Sequence, residues 1–425
     1  MAKGVQPVLA APPQFLTPFP HMKNPSRALL PVLTLLSMTA LLSTPAPAAS
    51  SRAFAAPGDV LVVDASGAGD FLDIQDAVDA SSPDDTLLIM DGAYSGFSID
   101  NKGLALAADS VLMPRVTGLV TLSGLTKGEG LSLSGLHLKA GFIVTGCKGT
   151  VVFTDCTIVE PNLADAYLTT PEDEPGMHQV LGCEDVVFSD SSLIGRDGES
   201  TSFMSGKDGA DGENGLWVMD STVSLYSCVV QGGEGGLSED SGGLGCTPAY
   251  RSNGGHGICA RSNSLVYMDG TQPVGGLRGE HWCCGSCDWD EKDGQAVYND
   301  GTASVLSGND PFLHLDSPLV VRESDPMPLT LTGPQGARSW MVYSPASAWR
   351  YLGLDLGILH LRSNQLKFAY LGKVPGSGSL QISITPPLLP PGEEALRVYV
   401  QPFALFGGSR LLGNARSVIV IDDAL

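Results

Sequence analysis

Basic residues are scarce in this chain: 24 Lys and Arg stand against 46 Asp and Glu in 425 residues, a net charge of −22. A field of that sign repels nucleic acid and anionic membrane surfaces, so neither is expected as a partner. Long apolar runs are nearly absent too. The only one, Ala28 to Leu42, spans about 15 residues, short of the roughly 20 a membrane helix needs. No phosphate-binding loop, dinucleotide fingerprint or nucleophile elbow occurs, which removes the commonest sequence evidence for nucleotide-dependent enzymes and α/β-hydrolases. Cysteine is confined to residues 147–287, leaving none in the last 138 residues. Helical periodicity is missing after about residue 81.

The short apolar run has flanks of its own. Met22-Lys23-Asn24-Pro25-Ser26-Arg27 is basic, and Ala46-Pro47-Ala48 supplies small residues after it. This is the layout of a secretory signal peptide, expected over residues 1–48 with the true start at Met22. Its removal takes away Lys3, Lys23 and Arg27 and no acid, leaving 21 bases against 46 acids. The expected location is extracytoplasmic, secreted or at the cell surface. Thiols there meet an oxidising environment, and nine cysteines cannot all pair within one chain.

The chain repeats itself. Val144-Thr145-Gly146-Cys147 leads into Thr150-Val151-Val152-Phe153-Thr154-Asp155-Cys156. Val180-Leu181-Gly182-Cys183 leads likewise into Asp185-Val186-Val187-Phe188-Ser189-Asp190-Ser191, and the cadence returns around Val223-Ser224-Leu225-Tyr226-Ser227-Cys228. Phe153, Phe188 and Leu225 lie 35 and 37 residues apart, a period that predicts stacked coils. Before the repeat, Ile74, Ala77, Val78 and Ser81 fall at helical spacing behind Asp73, a good helix cap. Asp64-Ala65-Ser66-Gly67-Ala68-Gly69-Asp70-Phe71-Leu72-Asp73-Ile74-Gln75-Asp76-Ala77-Val78 is similar to the opening of pectinesterases and other pectin-lyase-like proteins. Pro83-Asp84-Asp85-Thr86-Leu87 and Asp91-Gly92-Ala93-Tyr94 continue that resemblance. It implies an all-β fold over residues 58–309: a right-handed parallel β-helix with an N-terminal capping helix.

The same resemblance speaks against esterase chemistry. Pectinesterases carry their carboxylates, glutamines and arginine in Gln-Asp-Thr-Leu, Asp-Phe-Ile-Phe-Gly and Leu-Gly-Arg-Pro-Trp motifs. Asp84-Asp85-Thr86-Leu87 echoes the first but precedes the coils, and the other two do not occur. No catalytic residue is therefore assigned. Pectate lyases use acid-bound calcium with an Arg or Lys base. On that pattern the bases would come from Arg251, Arg261 and Arg278, and the acids from Asp197, Asp208, Asp211, Glu213, Asp288, Asp290 and Asp293.

Three insertions, at about 195–215, 232–257 and 275–294, each follow the second strand of a coil, so stacking should bring them out on one face. Their Gly, Asp, Ser and Glu content predicts irregular, partly mobile loops. Asp208, Asp211, Glu213 and Asn214 gather four oxygen donors in seven residues, which makes them the candidate calcium site; Asp-Gly turns explain the same pattern without an ion. No other cofactor is indicated. His281-Trp282-Cys283-Cys284-Gly285-Ser286-Cys287 holds ligand types for zinc, but adjacent Cys283 and Cys284 suit disulfides with Cys246 and Cys259 better. Cys147 and Cys183 occupy equivalent coil positions, where a disulfide or a ladder of small core residues both fit.

From about 318 to 425, short apolar runs between Gly, Pro and Asn turns predict a β-sandwich. Having no cysteine, it must stand on its own core. Two functions follow from the whole. One is a non-catalytic binding or structural role on the Gly/Asp/Cys-rich loop face, toward polysaccharide or cell-envelope components. The other is a carbohydrate-active enzyme, a polysaccharide lyase or glycoside hydrolase, of pectin-lyase-like fold.

Overall fold

The computed structural model describes residues 58–109, 113–159, 176–200, 209–239, 252–282, 292–308, 312–353, 356–386, 388–389 and 391–425. The chain is all-β, with long parallel sheets followed by a separate antiparallel region. The one helix among the described residues, α1 (Ile74–Ala80), starts at Asp73, whose side chain accepts the Gln75 amide, and turns Ile74, Ala77 and Val78 into the core.

Three parallel sheets share the coiled part. From Thr86 to Gln231 the chain visits them in a fixed order, adding one strand to each per circuit; beyond it sheet 2 continues only as a bridge at Val274. Sheet 1 has nine strands, from Val60–Val63 to Ser304–Ser307. Sheet 2 has six, from Ala93–Tyr94 to Val229–Gln231, and sheet 3 has seven, from Ser98–Asp100 to Val297–Asn299. Neighbouring strands are parallel, so each repeat sits on the last in register. Phe153 pairs with Phe188 and Phe188 with Leu225, which places the repeat anchors in one column. The Phe153 and Phe188 rings stack 4.8 Å apart, and Phe142 leans on both. Such contacts add about 0.5–1.5 kcal/mol beyond buried area.

Corners between sheets need a sharp turn, and the repeat supplies it. Asp155, Asp190 and Ser227 all adopt left-handed backbone (φ 52°, 55° and 53°) at the same corner, which Asp tolerates through its short polar side chain. At the opposite corner Gly146 and Gly182 hold φ 63°. The next residue points inward, and the column there is Cys147, Cys183 and Ser221. The Cys147 amide lies 3.5 Å from the Cys183 sulfur, and the Cys183 amide donates to Ser221 Oγ at 3.0 Å. Small polar atoms thus accept the backbone donors that no ladder reaches. Cys147, Cys156, Cys183 and Cys228 are buried thiols, and no disulfide joins any two described cysteines.

The antiparallel region is built from sheet 4 (His314–Asp316, Met327–Thr332, Ser379–Ile384) and sheet 5. Sheet 5 runs Val320–Arg322, Arg416–Ile421, Ala395–Phe406, Arg338–Ser344 and Lys367–Lys373, with Ser409–Leu412 paired to its middle strand. Leu315, Leu329, Leu331, Met341, Val400 and Val418 form a core of this region's own. It does not stand on that core alone, contrary to the expectation from sequence. Its other face lies on the outside of sheet 1, where Val152, Val187, Tyr226 and Tyr267 pack with Val342, Ile358, Leu361 and Tyr399. Further along, Leu88, Ala105 and Ala107 meet Ala395, Ile419 and Ile421. Sheet 1 is buried on both faces, which explains why Thr-Val-Val-Phe-Thr and Asp-Val-Val-Phe-Ser are apolar beyond simple alternation.

Candidate functional site

Six extended segments (195–200, 209–215, 231–237, 252–257, 274–280 and 292–296) make up the described parts of the three insertions. Each insertion leaves sheet 2 or its continuation at Val274 and returns to sheet 3. Glycine recurs every third residue in five of them, as in Gly209-Ala210-Asp211-Gly212 and Gly276-Leu277-Arg278-Gly279. A threefold extended chain presents every third residue on one side, and only glycine fits where such chains crowd together.

The packing bears this out. A Cβ on Gly233 would lie 1.8 Å from the Arg196 carbonyl, and one on Gly276 1.8 Å from the Gly233 carbonyl. Neither glycine has a positive φ, so the requirement is space and not conformation. One line of amide bonds crosses all six segments, each at 2.8 Å: Glu213 donates to Arg196, Gly233 to Glu213, Gly255 to Gly233, Gly276 to Gly255 and Gly294 to Gly276. The insertions therefore form an ordered glycine bundle over their described length, where composition predicted irregular loops.

Polar side chains brace the bundle. Asp197 accepts the Glu234 amide at 2.8 Å, Asn214 the His256 amide at 2.9 Å, Asn253 the Lys292 amide at 3.1 Å and Asp293 the Arg278 amide at 3.0 Å. Glu213 pairs with Arg196, and Asp211 takes the Asn253 amide at 2.5 Å. Of the candidate calcium ligands, Asp211, Glu213 and Asn214 thus turn to three different neighbours, and Asp208 lies outside the described residues. No group of three His, Cys, Asp or Glu among the described residues is arranged to hold a metal. Cys246, Cys283, Cys284 and Cys287 lie outside the described residues as well. Cys259 is buried in sheet 3 between Trp217 and Tyr298 in register. Arg261 lies over the Trp217 ring at 5.2 Å, and Arg278 is half-exposed beside Asp293. Arg251, Asp288 and Asp290 lie outside the described residues.

A second constellation, not read from sequence, joins sheet 1 to the antiparallel region. Arg416, 1% exposed, bridges Asp155 and Asp190, with Asp316 at 3.7 Å. Burial pushes the Asp190 carboxyl up to about 6 against the pull of Arg416. His314 stands 3.4 Å from Asp190, and burial drives it down to about 4, so it is neutral at neutral pH. Deeper in, Asp185 accepts the Thr150 hydroxyl at 2.7 Å and contacts His360 Nδ1 at 3.0 Å, while the Tyr226 hydroxyl meets His360 Nε2 at 3.1 Å. This Asp-His-Tyr chain resembles a catalytic relay. All three residues are at most 2% exposed, however, and their polar atoms are taken up by one another and by Thr150. It acts as a tie between layers. The two histidines looked isolated in sequence because their partners lie 87 to 175 residues away.

Comparison with known proteins adds little. No family model matches the chain, and no curated protein is similar to it. A solved superoxide reductase (neelaredoxin) from Ignicoccus hospitalis is similar over 26% of this chain and 80% of its own, at 8% identity and a TM-score of 0.15. A likeness at that score carries no argument about fold or activity. No helix among the described residues is long and apolar enough to cross a membrane.

Proposed function

We propose that this chain is an exported right-handed parallel β-helix protein of pectin-lyase-like kind whose role is binding or structural, not catalytic. In this reading α1 caps the first circuit of the coils, the antiparallel sheets are a β-sandwich fused to their back, and the glycine bundle is the presenting face. The partner class is polysaccharide or another cell-envelope component. One observation carries the reading: described acids of the presenting face brace neighbouring segments, as in Asp211 to Asn253 and Glu213 to Arg196, and among the described residues they do not converge on a cleft with a base. Lyase and hydrolase chemistry needs that convergence.

The test is incubation of the full chain with a polysaccharide panel, with and without calcium, followed by assay of reducing and unsaturated ends and by affinity electrophoresis in gels cast with the same polymers. Retardation without release of sugar is the expected outcome. Turnover of any polymer would establish the enzymatic alternative instead.

A further inference from the structure

A cleft of about 200 Å³ opens where the antiparallel region meets the early coils, away from the glycine bundle. Its walls come from five places in the sequence. Asp84 lies in the turn before sheet 1's second strand, Gly128 and Gly130 lie in a later coil, Ser347 begins the Ser347–Tyr351 hairpin strand, and Arg362 follows that hairpin's return strand Ile358–Leu361. Arg397 and Tyr399 come from the long strand of sheet 5, and the exposed Gln365 stands at the mouth.

We propose that this cleft binds a small hydroxycarboxylate. Two guanidinium groups face one carboxylate, a local excess of one positive charge in a chain whose net charge is −22. Arg397 is already committed, with Nη2 3.2 Å from Asp84, Nη1 2.6 Å from the Leu104 carbonyl and its guanidinium over the Tyr399 ring. Arg362 is not. Its one side-chain hydrogen bond among the described residues runs from Nη2 to the Gly128 carbonyl at 3.2 Å, which leaves most of a five-donor planar fork facing the cleft. That fork matches the two oxygens of a carboxylate, and a single excess charge suits a monoanion.

The second observation is independent of charge. The Tyr399 and Ser347 side chains are each 3% exposed, and beyond each other neither hydroxyl has a hydrogen-bond partner among the described residues. Buried polar atoms without partners are costly, and both of these line the cleft. The floor beneath them is kept clear. A Cβ on Gly130 would fall 2.1 Å from the Tyr399 hydroxyl, and one on Gly128 2.7 Å from Arg362 Nη2. Burial raises the Tyr399 hydroxyl above its usual range, so it stays protonated and able to donate. Asp84, half-exposed at the rim, is an acceptor for a ligand hydroxyl. The volume is below the roughly 300–1,000 Å³ of sites for drug-sized ligands, which restricts the ligand to a few heavy atoms beyond the carboxylate.

The experiment titrates the full chain with sodium glycolate, sodium sulfate and ethylene glycol at constant ionic strength, following amide shifts and thermal midpoint. Saturable binding of glycolate, weaker binding of sulfate and none of ethylene glycol are expected. Arg362→Met should weaken glycolate binding about tenfold or more without moving the midpoint of the free protein, because the one side-chain bond it loses is at the surface. Tyr399→Phe should weaken it with the fold retained. Absence of saturable glycolate binding overturns the proposal. So does binding that Arg362→Met leaves unchanged, or sulfate binding as tight as glycolate, which would mark a general anion patch. None of these outcomes bears on whether the glycine bundle binds polysaccharide.

Discussion

At the scale of the residue, glycines in this chain answer to two different demands. Gly233 is surrounded by backbone, and a methyl group there meets the Arg196 carbonyl at 1.8 Å. Gly182 has open space around its Cβ position but holds φ 63°. Gly233→Ala should therefore cost about 3 kcal/mol, the upper range for overpacking against atoms that cannot move aside. Gly182→Ala should cost about 1 kcal/mol of left-handed strain. Denaturant unfolding of the two variants checks the order; equal costs would mean that the bundle gives way easily. Asp269 makes a second residue-level case. Burial alone pushes its carboxyl up to about 7 from 3.8. The folded state then binds a proton more tightly than the unfolded state, so stability falls as pH rises from about 4 to about 7 and stays reduced above that. Asp269→Asn should be more stable than the natural chain at pH 8, by on the order of 2 kcal/mol, with the difference closing toward pH 4. Thermal melts at the two pH values decide it. Asp190 and His314 are less useful probes, since their shifts act in opposite senses over overlapping pH windows.

At the scale of the element, the strands of sheet 1 carry most of what holds the layers together. Their inward side chains stack with the coils, and their outward ones meet sheet 5. Arg416 lies in that second interface between Asp155 and Asp190. Arg416→Met removes the only cation facing these carboxylates among the described residues, and breaking such a buried set costs about 3–5 kcal/mol. A drop of that size in unfolding free energy near neutral pH is expected, shrinking as the pH falls through about 6, where Asp190 takes up its proton. A loss under 1 kcal/mol would show the network to be solvated. How legible these elements were varies with what they contact. Phe153 and Phe188 could be read as stacked because in-register coils ask the same side chain of each repeat. Two-sided burial was visible in Val151-Val152-Phe153, but nothing local says what covers the second face. Asp185 and Asp190 appear in sequence only as members of the repeat, because the residues that bury them, His360 and Arg416, are 175 and 226 positions away. The three-residue glycine spacing was present in Gly209, Gly212 and Gly215; read as composition it suggested loops, and only as a period does it suggest a threefold chain.

At the scale of the whole molecule, the described residues from 58 to 425 belong to one compact unit in which sheet 4, sheet 5 and the coils are successive layers. The glycine bundle grows from the other two sheets of the coils, through segments that join sheet 2 to sheet 3. Its backbone bonds run from coil to coil just as the ladders of the sheets do, so the bundle should share the stability of the scaffold. That rigidity is the central claim, because a presenting face for a partner differs from a mobile loop set by the order it holds before binding. Hydrogen exchange resolved at single amides tests it directly. The Gly233, Gly255, Gly276 and Gly294 amides, each bonded at 2.8 Å to the preceding segment, are expected to exchange as slowly as those of Val187 and Phe188 in sheet 1. Exchange at the rate of exposed, unbonded amides while Val187 and Phe188 remain protected would contradict the account.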